Sequence, residues 1–442
     1  MAGPSSSTSA IFNVQEHIIP ASHIREYPCA TADSQEDTLV LSVNQYTPKD
    51  ASSSPPRKGD VTIIGAHGVG FPKESYEPLW EDIYLELRQL GIRIRSIYIA
   101  DCAWLGRSGI LNEAKLGNDP NWLDYGRDIS HMINVLRPAR PLLGIGHSFG
   151  AGALSCAALS HPRLFSSLVL LDPVIVAHQD PHTAPLQASL RRREAWPSRA
   201  AARASFDRNP FFKAWDPRAL DRFVQFGLTE IDPNPDPNPA AAAAANPRPP
   251  QAVRLTTSKH QEVFTYARPV WPAYDPPRTQ LLRPSHIPDV HPRPSPLDPP
   301  PFLLYRPEPA HIYSRLPNLR PGVLYILGRH SNLPLTEAGR ARKHITGTGA
   351  GGSGGLAAGR VEEVVDEDSG HILPLQNPRF CAKHVARWWR KELAVWEEAE
   401  TAWDEWRARP AADKAVMGEE WKRMTAAMLE TGPKRQRDKS KL

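Results

Sequence analysis

Ser148 stands in a setting built for nucleophilic attack. Residues 144–152 read Gly-Ile-Gly-His-Ser-Phe-Gly-Ala-Gly, so Gly146-His147-Ser148-Phe149-Gly150 is a G-x-S-x-G pentapeptide. Pro141-Leu142-Leu143-Gly144-Ile145 ahead of it is a short apolar run of strand type, and Ala151 to Leu159 behind it reads as a helix of small residues. A strand that bends sharply into a helix lifts the residue at the bend out of the sheet. Glycines two before and two after that residue keep the bend free of Cβ clashes. Such a turn exposes Ser148 Oγ and aims the first amides of the helix at the same place. The chemistry this arrangement performs is acyl transfer through a covalent serine ester, which makes the chain a serine hydrolase.

A serine hydroxyl needs a base to take its proton, and the base needs an anion to fix its tautomer. Of the 16 histidines, His371 follows the last strand-like run: Val364-Val365, then Asp366-Glu367-Asp368-Ser369-Gly370-His371, where Gly370 lets the loop fold back toward the serine. The acid would ordinarily follow the strand at 322–328, yet the chain there reads Gly328-Arg329-His330-Ser331-Asn332, with no carboxylate before Glu337. The strand after the serine ends Leu171-Asp172-Pro173, so Asp172 is assigned as the acid. Glu337 or Asp368 would substitute if Asp172 only shapes an Asp-Pro turn. Two preorganised N–H donors must receive the oxyanion. One is the amide of Phe149. The other comes from His67-Gly68-Val69-Gly70-Phe71, where Val69 is the choice, Gly68 and Gly70 are its neighbours, and His67 stabilises the loop rather than reacting.

The elements that position these groups are legible as alternating runs. Strand patterns cover Ile11 to Ile19, Thr38 to Tyr46, Val61 to Ile64, Ile92 to Ala100, Pro141 to Ile145, Leu168 to Leu171, Gly322 to Gly328 and Val361 to Val365. Helical patterns cover 76–90, Trp122 to Leu136 and Phe380 to Glu400, the last with Val385, Trp389, Leu393 and Trp396 on one core-facing stripe. Strands alternating with helices predict an α/β fold with a mainly parallel sheet flanked by helices. The alternation stops between 174 and 318, which reads as a large lid inserted over the site, helical at 183–228, with an unstructured low-complexity stretch at 232–254 and another proline-rich, low-complexity segment at 284–301. The expected organisation is a disordered 1–10, a first core segment 11–173, the lid 174–318, a second core segment 319–400, and a C-terminal helix with basic tail over 401–442.

With 46 prolines in 442 residues, many of them within the insertion, a normal core is averaged with a polar insert. Four well-separated cysteines without a CxxC pair argue for reduced thiols and against a disulfide framework or zinc site. No run of 18 apolar residues is present, so no transmembrane segment is expected. The net charge of +5 comes with no aromatic interleaving or nucleic-acid module, which excludes nucleic acid as a partner. The chain ends Ser440-Lys441-Leu442 behind a basic stretch, the tripeptide read by the peroxisomal import receptor, so the expected location is the peroxisomal matrix. A homodimer is compatible with the sequence, which does not fix the oligomeric state.

Several stretches together resemble a fungal group of peroxisomal α/β-hydrolases related to acyl-CoA hydrolases of secondary metabolism, the yeast peroxisomal lipase and hydrolases of host-selective-toxin pathways. They are Ala21-Ser22-His23-Ile24-Arg25-Glu26-Tyr27-Pro28, Gly70-Phe71-Pro72-Lys73-Glu74, Tyr76-Glu77-Pro78-Leu79-Trp80, Gly117-Asn118-Asp119-Pro120-Asn121-Trp122, the serine pentapeptide and Lys259-His260-Gln261-Glu262. The resemblance implies the α/β-hydrolase fold, an acid after the strand that follows the serine, and type I acyl-CoA thioesterase chemistry on an acyl-CoA substrate without metal or redox cofactor. Under it, Arg191-Arg192-Arg193 either meets coenzyme A phosphates or forms a solvated helix face. A lipase or carboxylesterase acting on oxygen esters is the second enzymatic reading, and a non-catalytic binding scaffold of the same fold is the third.

Overall fold

A computed structural model describes residues 9–50, 55–179, 183–231, 252–291, 302–331 and 337–431, together with residues 295, 297, 300 and 333. The first half of the chain builds six strands of one sheet: β1 (Phe12–Pro20), β2 (Val40–Pro48), β3 (Val61–Ala66), β4 (Ile94–Ala100), β5 (Leu142–His147) and β6 (Ser167–Leu171). An insertion follows, containing β7 (Ala195–Trp196), β8 (Leu228–Glu230), β9 (Val253–Leu255), β10 (Arg268–Pro269) and β11 (Leu304–Tyr305) in two small sheets. The main sheet then resumes with β12 (Gly322–Gly328) and β13 (Val361–Asp366).

The strand order of the main sheet is β1-β2-β4-β3-β5-β6-β12-β13. From β4 to β13 every neighbouring pair is parallel, and the antiparallel pairs are β1–β2 and β2–β4. Strands covered by helices on both faces must be apolar throughout, and β3, β5, β6 and β12 are buried at every position. By contrast, β1 at the sheet edge is buried only at Phe12 and Ile19. Val385 and Trp389 of the helix Pro378–Arg407 are buried, and Trp388 donates its indole N–H to Ser167 Oγ at 2.8 Å. From Leu393 the described residues form a second unit, made of the end of that helix and the helices Ala411–Lys414 and Glu419–Thr431. Among the described residues no helix is long and apolar enough to cross a membrane.

Register places the chemistry. His147 of β5 pairs with Leu171 of β6, so the next residues, Ser148 and Asp172, leave the sheet side by side at the carboxyl ends of neighbouring strands. Leu171 in turn pairs with Ile326 of β12, and Gly328 of β12 pairs with Asp366 of β13, which brings the loop after β13 to the same edge.

Two expectations change at their boundaries. Ser9 is ordered and buried: its hydroxyl donates to Glu81 and accepts the amide of Phe12, anchoring the start of β1, while residues 1–8 lie outside the described residues. Val253 and Arg254, expected to be unstructured, belong to β9, where pairing with β7 and β8 satisfies their backbone. In the proline-rich stretch, Ile287 and Val290 are buried in a small core with Val270, Tyr274 and Tyr305. The helix Glu308–Arg315, inside the expected lid, packs Ile312 into the main core.

Candidate active site

Ser148 occupies the bend between β5 and the helix Phe149–Ser160 with φ 58° and ψ −122°, a strained conformation for a residue with a side chain. The bend is held by Ser148 N–H donating to Leu171 O at 3.0 Å and Val174 N–H donating to Ser148 O at 3.2 Å. A Cβ on Gly146 would lie 2.7 Å from Ala151 Cα, and one on Gly150 would lie 2.4 Å from His67 O, so backbone occupies both places.

His371 Nε2 lies 2.9 Å from Ser148 Oγ, and its Nδ1 lies 2.5 Å from Asp172 Oδ2. The carboxylate accepts from Nδ1–H, which leaves the Nε2 lone pair facing the serine proton. The loop that carries His371 is closed by Ser369 Oγ donating to Asp366 at 2.6 Å and by Gly370 N–H donating to Gln376 at 2.9 Å. Gly328 lets that loop pass close to β12, since a Cβ there would sit 2.2 Å from Gly370 O.

Asp172 is fully buried with φ 40°. Its Oδ2 also accepts the Ser331 hydroxyl at 2.5 Å, and its Oδ1 accepts the Gly328 amide at 3.3 Å. The loop where an acid would ordinarily stand thus supplies a hydroxyl that braces the Asp172 carboxylate of the neighbouring strand. The buried guanidinium of Arg342 donates to Pro173 O at 3.0 Å, and burial lowers its pKa while the nearby Asp172 carboxylate works the other way. Glu337 and Asp368, the substitutes, are both exposed.

The loop after β3 is rigidly tied. Cys102 N–H donates to His67 Nε2 at 2.9 Å, so Nδ1 carries the proton and donates to Gly68 O at 2.8 Å. Burial lowers the His67 pKa, keeping this loop-stabilising ring neutral. Among the described residues nothing accepts a hydrogen bond from the amides of Val69 or Phe149. Lys73, just beyond the loop, is anchored by ion pairs to Asp101 at 3.0 Å and Glu74 at 2.8 Å.

Val69, Phe149, Ser148 and His371 line a cavity of about 870 Å³ whose remaining wall comes largely from the insertion. Trp196, Phe206, Phe212 and Phe223 make that wall aromatic, and Arg191, Arg192 and Arg193 all reach it. Arg192 pairs with Glu262 at 2.7 Å, and the Ser189 hydroxyl donates to the same carboxylate at 2.7 Å. Burial raises the Glu262 pKa and Arg192 opposes that rise. A Cβ on Gly70 (φ +80°) would lie 2.1 Å from Glu262 Oε1, so the carboxylate occupies the side-chain space beside the Val69 loop. Sequence reasoning missed Ser331, Tyr76, His147, Glu262 and Arg342 as parts of this region. Tyr76 and Glu262 lay inside stretches singled out as matching, which was the available signal.

The chain is similar to proteins of known name over nearly its whole length. It is 38% identical to the type I acyl-CoA thioesterase mpaH of Penicillium roqueforti, covering 95% of this chain and 97% of that protein. It is 37% identical to the type I acyl-CoA thioesterase mpaH' of Penicillium brevicompactum, covering 98% and 99%. An abhydrolase domain-containing protein of Alternaria alternata, AFT2-1, is 25% identical over 64% of this chain and 96% of that protein. The crystal structure of the peroxisomal α/β-hydrolase Lpx1 from Saccharomyces cerevisiae shares the fold, with a TM-score of 0.64 at 14% identity over 96% of this chain and 97% of that one. No family model matches the sequence. The chain is a hydrolase and belongs to the α/β-hydrolase family that includes the type I acyl-CoA thioesterases of Penicillium.

Proposed function

We propose that this protein is a type I acyl-CoA thioesterase working through Ser148, His371 and Asp172. The observation that carries the reading is the alignment of Ser148 Oγ, His371 and Asp172 at 2.9 and 2.5 Å, with Ser148 and His371 on the wall of the large cavity. The names of the relatives and the three arginines on the cavity wall favour a thioester of coenzyme A over a neutral ester.

Ser148 Oγ attacks the thioester carbonyl carbon while His371 Nε2 takes its proton. The tetrahedral oxyanion rests on the Val69 and Phe149 amides, and Asp172 balances the imidazolium that forms. Collapse breaks the C–S bond, His371 protonates the leaving thiolate, and the acyl group remains on Ser148. His371 then deprotonates a water that attacks the acyl-serine, and a second collapse returns the proton to Ser148 and releases the acid. None of these steps calls on a metal or redox cofactor. The insertion over 174–318 is the lid in this reading, its aromatic wall receiving the acyl group.

The test is thiol release by purified wild type and Ser148→Ala across short, medium, long and aromatic acyl-CoAs, with fluorophosphonate labelling of Ser148 in parallel. Release that disappears in the variant supports the reading. Labelling without release from any acyl-CoA would assign the chain to oxygen esters, and absence of both would favour a binding scaffold. Peroxisomal location is part of the proposal and rests on Ser440-Lys441-Leu442, which lies outside the described residues. A fluorescent fusion at the N-terminus should enter peroxisomes, and removing the tripeptide should leave it in the cytosol.

A further inference from the structure

Behind the Ser148–His371 pair runs a second buried chain of polar groups that the steps above do not use. His147, the residue before the nucleophile, has Nε2 2.9 Å from the carbonyl oxygen of His371 and Nδ1 2.7 Å from Tyr76 Oη. Gly68 N–H lies 2.8 Å from that same Oη. A carbonyl can only accept, so Nε2 carries the ring proton and Nδ1 presents its lone pair. Tyr76 Oη therefore donates to Nδ1 while its oxygen accepts from Gly68 N–H. The direction of every hydrogen bond from Gly68 to His371 is thereby set.

Space and burial hold this order in place. His147 and Tyr76 are both buried, the Phe71 ring stacks on His147 at 6.0 Å, and a Cβ on Gly68 would collide with His147 Nδ1 at 2.6 Å. Burial and the neighbouring His371 push the His147 pKa down to about 3, so the ring is neutral where hydrolases work. An inverted tautomer would set the Nε2 lone pair against the His371 carbonyl oxygen, leaving both without a donor, and would leave the Tyr76 hydroxyl proton without its acceptor.

The chain links three segments far apart in sequence: the Gly68-Val69 turn, the nucleophile bend and the backbone of His371. We propose that Tyr76 and His147 are positioning residues, with the Nε2–H tautomer of His147, locked by the Tyr76 hydroxyl, fixing both the His371 backbone and the loop that carries the Val69 amide. The inference rests on the reading of His371 as the base. Neither side chain touches the reacting atoms. They act by keeping base, nucleophile and oxyanion donor in one register, where a displacement of about 1 Å costs on the order of 100-fold in rate.

The experiment uses the full-length protein and the variants Tyr76→Phe, His147→Gln and His147→Leu. Tyr76→Phe keeps the ring volume and removes the hydroxyl that serves both Gly68 and His147. It should lower kcat for thiol release about 10- to 100-fold while KM stays within about twofold. The His147→Gln amide can still donate to the carbonyl and accept from Tyr76, so it should retain kcat within about fivefold, whereas His147→Leu should fall at least as far as Tyr76→Phe. Nitrogen-15 spectra of histidine-labelled protein, assigned by the loss of one ring in His147→Gln, should show His147 as the Nε2–H tautomer. A scaffold effect alone would lower the melting temperature of all three variants without separating Gln from Leu in kcat. Wild-type kcat in Tyr76→Phe, equal losses in Gln and Leu, or an Nδ1–H tautomer would each overturn the proposal. Thiol release that survives in Ser148→Ala would instead sink the triad reading, and the tautomer result would still judge the His147 geometry by itself.

Discussion

Asp172→Asn separates the proposed acid from its rivals. In the wild type, Asp172 Oδ2 accepts from both His371 Nδ1 and Ser331 Oγ at 2.5 Å. The isosteric amide has two ways to sit there, and both cost rate. With its oxygen toward His371 it preserves the tautomer but removes the anion that balances the imidazolium in each tetrahedral step. Opposite unit charges about 4 Å apart at an effective dielectric near 20 attract by about 4 kcal/mol, which at 1.36 kcal/mol per decade is a loss of about 1,000-fold. With its nitrogen toward His371, the amide forces the proton onto Nε2, which can no longer accept from Ser148, and the loss is larger. Expected, then, is a fall in kcat of about 10³- to 10⁴-fold with little change in KM. The buried Arg342 also loses its nearby carboxylate, so the variant should melt at lower temperature. Thiol release should therefore be normalised to active sites counted by fluorophosphonate titration. The exposed Glu337 and Asp368, changed to Gln and Asn, should stay within about twofold of wild type. If Asp172→Asn kept more than about a tenth of wild-type kcat, or if either exposed carboxylate proved essential, the assignment and the electrostatic argument behind it would fail.

Three further outcomes test other parts of the site. Replacing Arg191, Arg192 and Arg193 together by alanine should raise KM for acyl-CoA about tenfold and leave KM for the matched p-nitrophenyl ester unchanged; equal effects on both substrates would refute phosphate recognition. Gly70→Ala forces a methyl group toward Glu262 Oε1 at a backbone φ of +80°, so it should displace the Val69 loop and lower kcat by about tenfold or more, measured alongside affinity for a tetrahedral trifluoromethyl ketone analogue, which should fall in parallel. The His147 pKa is depressed to about 3 from an ordinary value near 6.5, so the unfolded chain binds its proton first. The stability this contributes is complete above about pH 6.5 and is lost as pH falls toward 3, at up to about 1.4 kcal/mol per pH unit; denaturation from pH 7 to 4 should therefore be steeper for wild type than for His147→Gln, and parallel curves would contradict the shift.

The sequence was most readable where one geometric demand acts on neighbouring residues. Gly146, Ser148 and Gly150 answer to a single bend, and the runs of β3, β5, β6 and β12 answer to burial on both faces, so pattern and cause lie together in the chain. The position of Asp172 beside Ser148 was legible because an Asp at the end of a strand neighbouring β5 can reach only a few places. What stayed hidden were residues whose partners arrive from elsewhere in the fold. Ser331 reads as a loop serine until β12 brings it to Asp172, Glu262 reads as a helix-surface acid until the insertion folds it onto Gly70, and His147 reads as the variable position of a pentapeptide. The contacts of Glu262 and His147 converge on the same two loops, those of Val69 and His371. Local sequence therefore specifies the bend at Ser148, whereas the relative placement of His371 and of the Val69 and Phe149 amides depends on side chains drawn from across the whole chain. Substitutions at Tyr76 or Glu262 should accordingly affect turnover more than the strand pattern alone suggests, because each holds a loop that local propensity leaves free.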